Sequence, residues 1–388
     1  MECFLKIPYI CKTKQKFVFL LATLALLLGM AGCPGHQESQ ADARTIQGST
    51  ANAANNNNTI PAPIKKADFA PMSATTGNTA TVPSKTAEGK NTGIPKAAAS
   101  RIKYNAGEDP EFAKQCGWPV NCVKPLPGSI LPEKRIVAYY GNPLSKRMGA
   151  LGEFQKDDML QRLKREVSRW ESADPATPVQ PALHLIAVVA QGDPGKAGKY
   201  RMIMPDSIIN QVYGWAKEAN TVMFIDIQTG HDDIRTILPR FEWILKNPDV
   251  HLGIDPEFNL VKSRAKPGTK IGTYDASDVN YVSGYLKGLV KKYNLPPKVL
   301  TVHRFTRNGV TNYRRIVLHP EVQIVMNMDG WGAPWLKRDS YKDYVVKEPV
   351  QYTGFKLFYH NDTKKKDALL TPKEVLKLNP KPIYIQYQ

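Results

Sequence analysis

Five cysteines in 388 residues are too few for a disulfide-built scaffold, and seven scattered histidines include no His-x-His pair of the kind that announces a metal cage. No glycine-rich phosphate loop follows the first strand-like run, where the turn reads Gly141-Asn142-Pro143; this counts against an open dinucleotide-binding sheet. The net charge is +18, yet no basic stripe with interleaved aromatics and no DNA-reading motif accompanies it, so nucleic acid is not an expected partner. The N-terminal apolar run Phe17–Met30 falls short of the roughly 20 residues that a membrane-spanning helix requires.

What is present begins with that run. Lys6, Lys12, Lys14 and Lys16 precede it, and Met30-Ala31-Gly32-Cys33 closes it with small residues before a cysteine. The arrangement resembles a bacterial lipoprotein signal, residues 1–32. The resemblance implies cleavage before Cys33, acylation of that residue and a protein held by lipid on a membrane outside the cytoplasm. Residues 33–100 are rich in Ala, Asn, Thr, Ser, Pro and Gly, include the run Asn55–Asn58 and show neither strand nor helix periodicity. Such a segment cannot bury enough apolar surface to offset its ordering entropy, so a flexible tether is expected. The first 100 residues carry ten basic and five acidic groups, which leaves the remainder at +13, suited to an anionic wall, lipid headgroups or an acidic polymer. Cys3 and Cys11 belong to the signal. Cys116 and Cys122 fall in an extension spanning 101–134, around Gly-Trp-Pro-Val-Asn, and in an oxidising compartment they are expected to form a small disulfide loop.

From residue 135 to 388, apolar runs of strand length alternate with helix-like segments. Eight runs are legible: Ile136–Tyr140, Leu183–Ala190, Val222–Gln228, His251–Phe258, Val299–Phe305, Val322–Asp329, Thr353–Tyr359 and Ile383–Tyr387. Between them lie predicted helices at Asp157–Trp170, Ser207–Ala219, Asp232–Leu245, Ser277–Tyr293, near Asn312–Val317, near Ser340–Val346 and at Thr371–Leu378; the last starts on Thr-Pro-Lys-Glu, an N-cap followed by proline and a Glu three residues on. Strict alternation predicts parallel strands with right-handed crossovers, and eight of them predict a closed (β/α)8 TIM-like barrel lacking its eighth helix. The segment Arg101–Leu131 is the candidate to cover the place of that helix.

Barrel strands alternate inward and outward, so polar residues of one parity near the strand ends should converge at the C-terminal face. Tyr140, Asp226 with Gln228, Asp255 with Glu257, His303, Asn327 with Asp329, Lys356 and Gln386 satisfy this on seven strands. Asp255 and Glu257, spaced i, i+2 in Val250–Phe258, should share a strand face. A layer this polar costs several kcal/mol unless it is mutually bonded or functional. Carboxylates dominate it, and two of them in different environments can divide acid and base roles. Trp331 and Trp335, in the loop after Asp329, offer flat aromatic faces suited to sugar rings. We therefore expect Glu257, Asp255 and Asp329 to be catalytic and Tyr140, Asp226, Gln228, His303, Asn327, Trp331, Trp335, Lys356 and Gln386 to bind substrate, a cell-wall or extracellular glycan, in a monomer that uses no cofactor or metal.

The order of strand-end signatures resembles the family 18, chitinase-like glycoside hydrolases: Val137-Ala138-Tyr139-Tyr140 in the first strand, an acid-ending fourth strand, and Met326-Asn327-Met328-Asp329 where that family carries Met-x-Tyr-Asp. The resemblance implies that Glu257 is the general acid and Asp255 the carboxylate that orients a substrate acetamido group. Gly253 stands where the family has an earlier Asp, Pro256 intervenes, and Asp226-Ile227-Gln228 replaces a Ser-x-Gly-Gly. Two further readings attach to the same residues: metal-assisted phosphodiester hydrolysis through Asp226, Asp255, His303 and Asp329, and a non-catalytic barrel that binds glycan.

Overall fold

The computed structural model describes residues 103–388; the signal segment, Cys33 and the tether to residue 100 lie outside the described residues. Eight parallel strands form one sheet: β1 (Arg135–Gly141), β2 (Val179–Ala190), β3 (Val222–Ile227), β4 (Val250–Ile254), β5 (Lys298–Arg304), β6 (Val322–Met328), β7 (Tyr352–Leu357) and β8 (Tyr384–Tyr387). Each pairs with the next in sequence, and β8 pairs with β1 through Ile136↔Tyr384 and Ala138↔Gln386, which closes the barrel. The competing open sheet is thereby excluded. A short antiparallel strand, Arg201–Ile203, extends the upper end of β2.

Side-chain parity divides the apolar residues into two bodies. Ile136 and Ala138, Ala182, Val222 and Phe224, Val299, Val325 and Tyr384 fill the lower barrel interior, with Leu131 of the N-terminal extension packed among them. Residues of the opposite parity, such as Val137, Leu183, Ile225, Leu252, Leu300, Ile324, Phe355 and Ile385, belong to the larger core that also takes in the helices. Helix Lys156–Ala173 contributes Met159, Leu163 and Trp170 from one stripe; helix Ala276–Tyr293 contributes Val279, Val282, Leu286 and Leu289. The second of these starts on a capping box at Asp275 and ends at Asn294 in the left-handed conformation.

Several expectations are corrected. The segment Asp232–Leu245 is three short helical pieces, with Leu238–Phe241 forming a tighter turn around Pro239, and Asn312–Val317 supplies only the single turn Tyr313–Arg315. The extension does not replace the missing helix beside β8. Its helix Pro110–Gln115 and Trp118 pack toward the segment ending at Val346, whose carbonyl accepts the Trp118 indole, while Ile130 and Leu131 bond to Gln323 at the base of the barrel. The outer side of β8 is covered by Trp170, whose indole donates to Tyr387, and by the stacked Tyr359 ring. Cys116 and Cys122 are free thiols, not a disulfide. Cys116 caps the short helix and Trp118 is anchored by its own hydrogen bond, so the intervening chain is fixed by packing without a covalent link.

Candidate active site

The interior parity that is apolar at the strand starts turns polar at their C-terminal ends. Above Ala138 comes Tyr140; above Phe224, Asp226; above Val299, His303; above Val325, Asn327; above Tyr384, Gln386. The sequence-derived residues therefore do assemble, with β4 as the exception in detail. The strand stops at Ile254 because Pro256 has no N–H to continue the ladder. Asp255 instead caps a single turn, Pro256–Phe258, its Oδ1 accepting the Glu257 N–H at 3.2 Å. Glu257 is thus placed by this turn, not by a strand face, yet carboxylate oxygens of Asp255, Glu257 and Asp329 still lie within 4.8 Å of one another.

Around that cluster the polar layer is densely cross-linked. Tyr140 donates to Asp226 Oδ2 at 2.8 Å. The Gln228 amide nitrogen donates to Tyr140 Oη at 3.4 Å and to Asp255 Oδ2 at 3.5 Å, while its oxygen accepts the Ala190 N–H. Lys356 Nζ pairs with Asp329 Oδ1 at 2.9 Å and sits 3.8 Å from the centre of the Tyr140 ring, a cation–π contact inside the protein. His303 Nδ1 meets Asp329 Oδ2 at 3.2 Å. The Asn327 amide is buried, with Gly354 beside it: a β-carbon at position 354 would come within 2.6 Å of Asn327 Oδ1.

These contacts and the burial of the layer shift its protonation equilibria. Burial alone would raise the Asp226 carboxyl, but His303, His184 and Tyr140 overcome it and hold the group down, at about 2. Burial pushes Tyr140 well above the usual phenol range, and the Asp226 charge adds to this. For His303 burial opposes protonation, but Asp226 and Asp329 outweigh it and raise the imidazole above its ordinary value. Burial lowers His184 to about 4, although Asp226 opposes that shift.

His184, on β2, is the residue sequence reasoning missed. It lies inside the apolar run Leu183–Ala190, which reads as core with no polar contribution from β2; its inward parity with Ala182 is the available signal. Of the two tryptophans, Trp335 starts the helix Pro334–Tyr341 and is 68 % exposed, so it belongs to the outer surface, whereas Trp331 is half-buried in the preceding loop. That loop is held by Asp362, which accepts the Gly332 N–H and pairs with Lys337.

The fold and site together define a (β/α)8 barrel with a buried carboxylate-rich layer at the end where such barrels carry their chemistry. A scan against protein-family models and a search of curated proteins return no match. Among solved structures the chain is similar to a GH5-4 broad specificity endoglucanase from an uncultured bacterium, with a TM-score of 0.31 and 11 % sequence identity over 57 % of this chain and 76 % of that one.

Proposed function

We propose that this barrel is a glycoside-hydrolase-like protein, held outside the cytoplasm by lipid on Cys33, that acts on a cell-surface glycan containing amino sugars. Glu257 serves as the general acid, Asp255 orients the substrate, and Asp329, Asn327 and Tyr140 surround the same sugar. The observation that supports the reading is the carboxylate trio: three acids with oxygens within 4.8 Å, at the C-terminal end of a closed barrel. That separation lies nearer the about 5–5.5 Å between the carboxyl groups of retaining enzymes than the about 6.5–9.5 Å of inverting ones, which suits retention, with either a carboxylate or the sugar's own acetamido group as nucleophile. The family 18 likeness of the strand-end motifs belongs to the same proposal.

A second reading, a barrel that binds glycan without cleaving it, draws support from burial. Asp329 and Asp255 are 0 % and 1 % exposed, Glu257 is 7 % exposed, and Lys356 already engages Asp329. One variant separates the two. Glu257→Gln should lower turnover of a β-linked amino-sugar polymer by about 10²–10⁴-fold while leaving binding intact, as expected for loss of a general acid. Unchanged turnover would remove Glu257 from the acid role. A wild-type protein that binds the polymer and never cleaves it would establish the second reading.

A further inference from the structure

Three side-chain atoms in the polar layer face one another without a hydrogen-bond partner: His184 Nε2, Asp226 Oδ1 and His303 Nε2. They come from β2, β3 and β5, and each residue is at most 1 % exposed. Asp226 Oδ1 lies 3.8 Å from His184 Nε2 and 3.7 Å from His303 Nε2, too far for a hydrogen bond in either case. Three buried polar atoms left unsatisfied in one place are costly and rare.

Their spacing has a different use. Zinc–nitrogen and zinc–oxygen bonds of about 2.0–2.2 Å put the donor atoms of a tetrahedral site roughly 3.3–3.6 Å apart; both distances to Asp226 exceed this by a few tenths of an ångström, and all three donor atoms lie within 4.8 Å of one another. Every other atom of the three groups is already committed. His303 Nδ1 meets Asp329 Oδ2 at 3.2 Å, His184 Nδ1 meets Tyr384 Oη at 2.6 Å, and Asp226 Oδ2 accepts from Tyr140. The Gln386 amide nitrogen also lies 3.0 Å from His184 Nδ1, so ligation through Nε2 needs that amide turned, with its otherwise unpartnered oxygen accepting from a protonated Nδ1; Asp329 takes the part of the outer carboxylate that orients a metal-bound histidine.

Gly253 on β4 keeps the space clear. A β-carbon there would lie 2.5 Å from Asp226 Oδ1 and 2.5 Å from His184 Nε2. The carboxylate of this level is supplied by Asp226 from the neighbouring strand, opposite Gly253 in register.

We propose that His184, Asp226 and His303 form a zinc-type metal site in the barrel, with three protein ligands and one position open. Two imidazoles and one carboxylate are a donor set that a divalent transition ion accepts and that magnesium or calcium does not favour. The inference does not depend on the glycosidase reading, because its test reads metal and not turnover.

The full-length protein, stripped with a chelator and dialysed, should take up about one equivalent of zinc by calorimetry, as three-ligand sites do, and its thermal midpoint should rise by several degrees. Cobalt(II) in place of zinc should give the intense visible absorption of a four-coordinate site. His184→Gln and His303→Gln should each lower the affinity at least tenfold, whereas Glu257→Gln should retain it. Because the histidine variants can fail to fold, the wild-type cobalt spectrum stands as an independent reading. No zinc or cobalt uptake by the wild type overturns the proposal. So does full zinc affinity in a folded His184→Gln protein, or zinc lost from Glu257→Gln alone, which would move the ion to the carboxylate trio.

Discussion

Gly253 shows how much of this site depends on a missing side chain. It faces inward on β4 between two polar groups, and the 2.5 Å approach of a β-carbon to both Asp226 Oδ1 and His184 Nε2 leaves neither anywhere to go, since Tyr140 holds the first and Tyr384 the second. Gly253→Ala should therefore cost about 1–3 kcal/mol of stability through overpacking. Gly284, exposed on helix Ala276–Tyr293, is the control: nothing lies within 4 Å of its added β-carbon. Gly284→Ala should instead stabilise by about 0.5–1 kcal/mol through helix propensity. Urea denaturation of the two variants reads both signs at once, and equal effects would mean that the space under Gly253 can open without cost.

At the scale of elements, the caps decide where the strands hand over to the helices. Asp275 accepts the Ser277 N–H and also the Thr311 hydroxyl, so one carboxylate starts helix Ala276–Tyr293 and ties it to the short strand Val310–Thr311. Its hydrogen bonds hold its pKa far below the usual carboxylate range. Asp275→Ala should lose about 2 kcal/mol, the upper end for an N-cap, because both roles go together. A loss under a few tenths in thermal or urea unfolding would show that neither bond matters. The legibility of the sequence also divides at this scale. All eight strands could be read, because apolar runs of period two leave little choice of register once one face is buried. The inward set Tyr140, Asp226, His303, Asn327 and Gln386 followed from that parity alone. Glu257 reaches the carboxylate cluster by a route that strand parity does not describe: period two does not carry past Pro256, where the backbone turns. His184 stayed hidden because a single polar residue in an apolar run reads as core until its strand neighbours are known. The broken helix at Ile234–Leu245 shows the same limit, since apolar spacing persists across Pro239 while the backbone tightens around it.

Across the barrel, the interior is a column that is apolar below and charged above, with a buried imidazole in the lower half. His251 on β4 lies 5.1 Å from the Phe224 ring, and its Nδ1 accepts the Val299 N–H at 3.1 Å. Burial first, and then the nearby Lys298 ammonium, hold this imidazole well below its ordinary value. A histidine in the unfolded chain takes up its proton near pH 6.5, so below that pH the unfolded state binds more protons than the folded state and stability falls as the solution is acidified. The contribution is complete above pH 6.5 and should be reduced by about 2 kcal/mol at pH 5, the linkage of one proton over 1.5 pH units. His303 works in the opposite sense. Its raised pKa favours the folded state at low pH, a contribution lost as pH rises through the folded-state value, while His184, which burial lowers to about 4, adds to the acid loss, so the net profile of the wild type mixes all three. Comparison with His251→Gln isolates the buried group: between pH 7 and pH 5 the wild type should lose about 2 kcal/mol more in denaturant unfolding than the variant does. Parallel profiles for the two proteins would mean that the folded barrel accepts a proton at His251, and that its lower half is wetter than its packing implies.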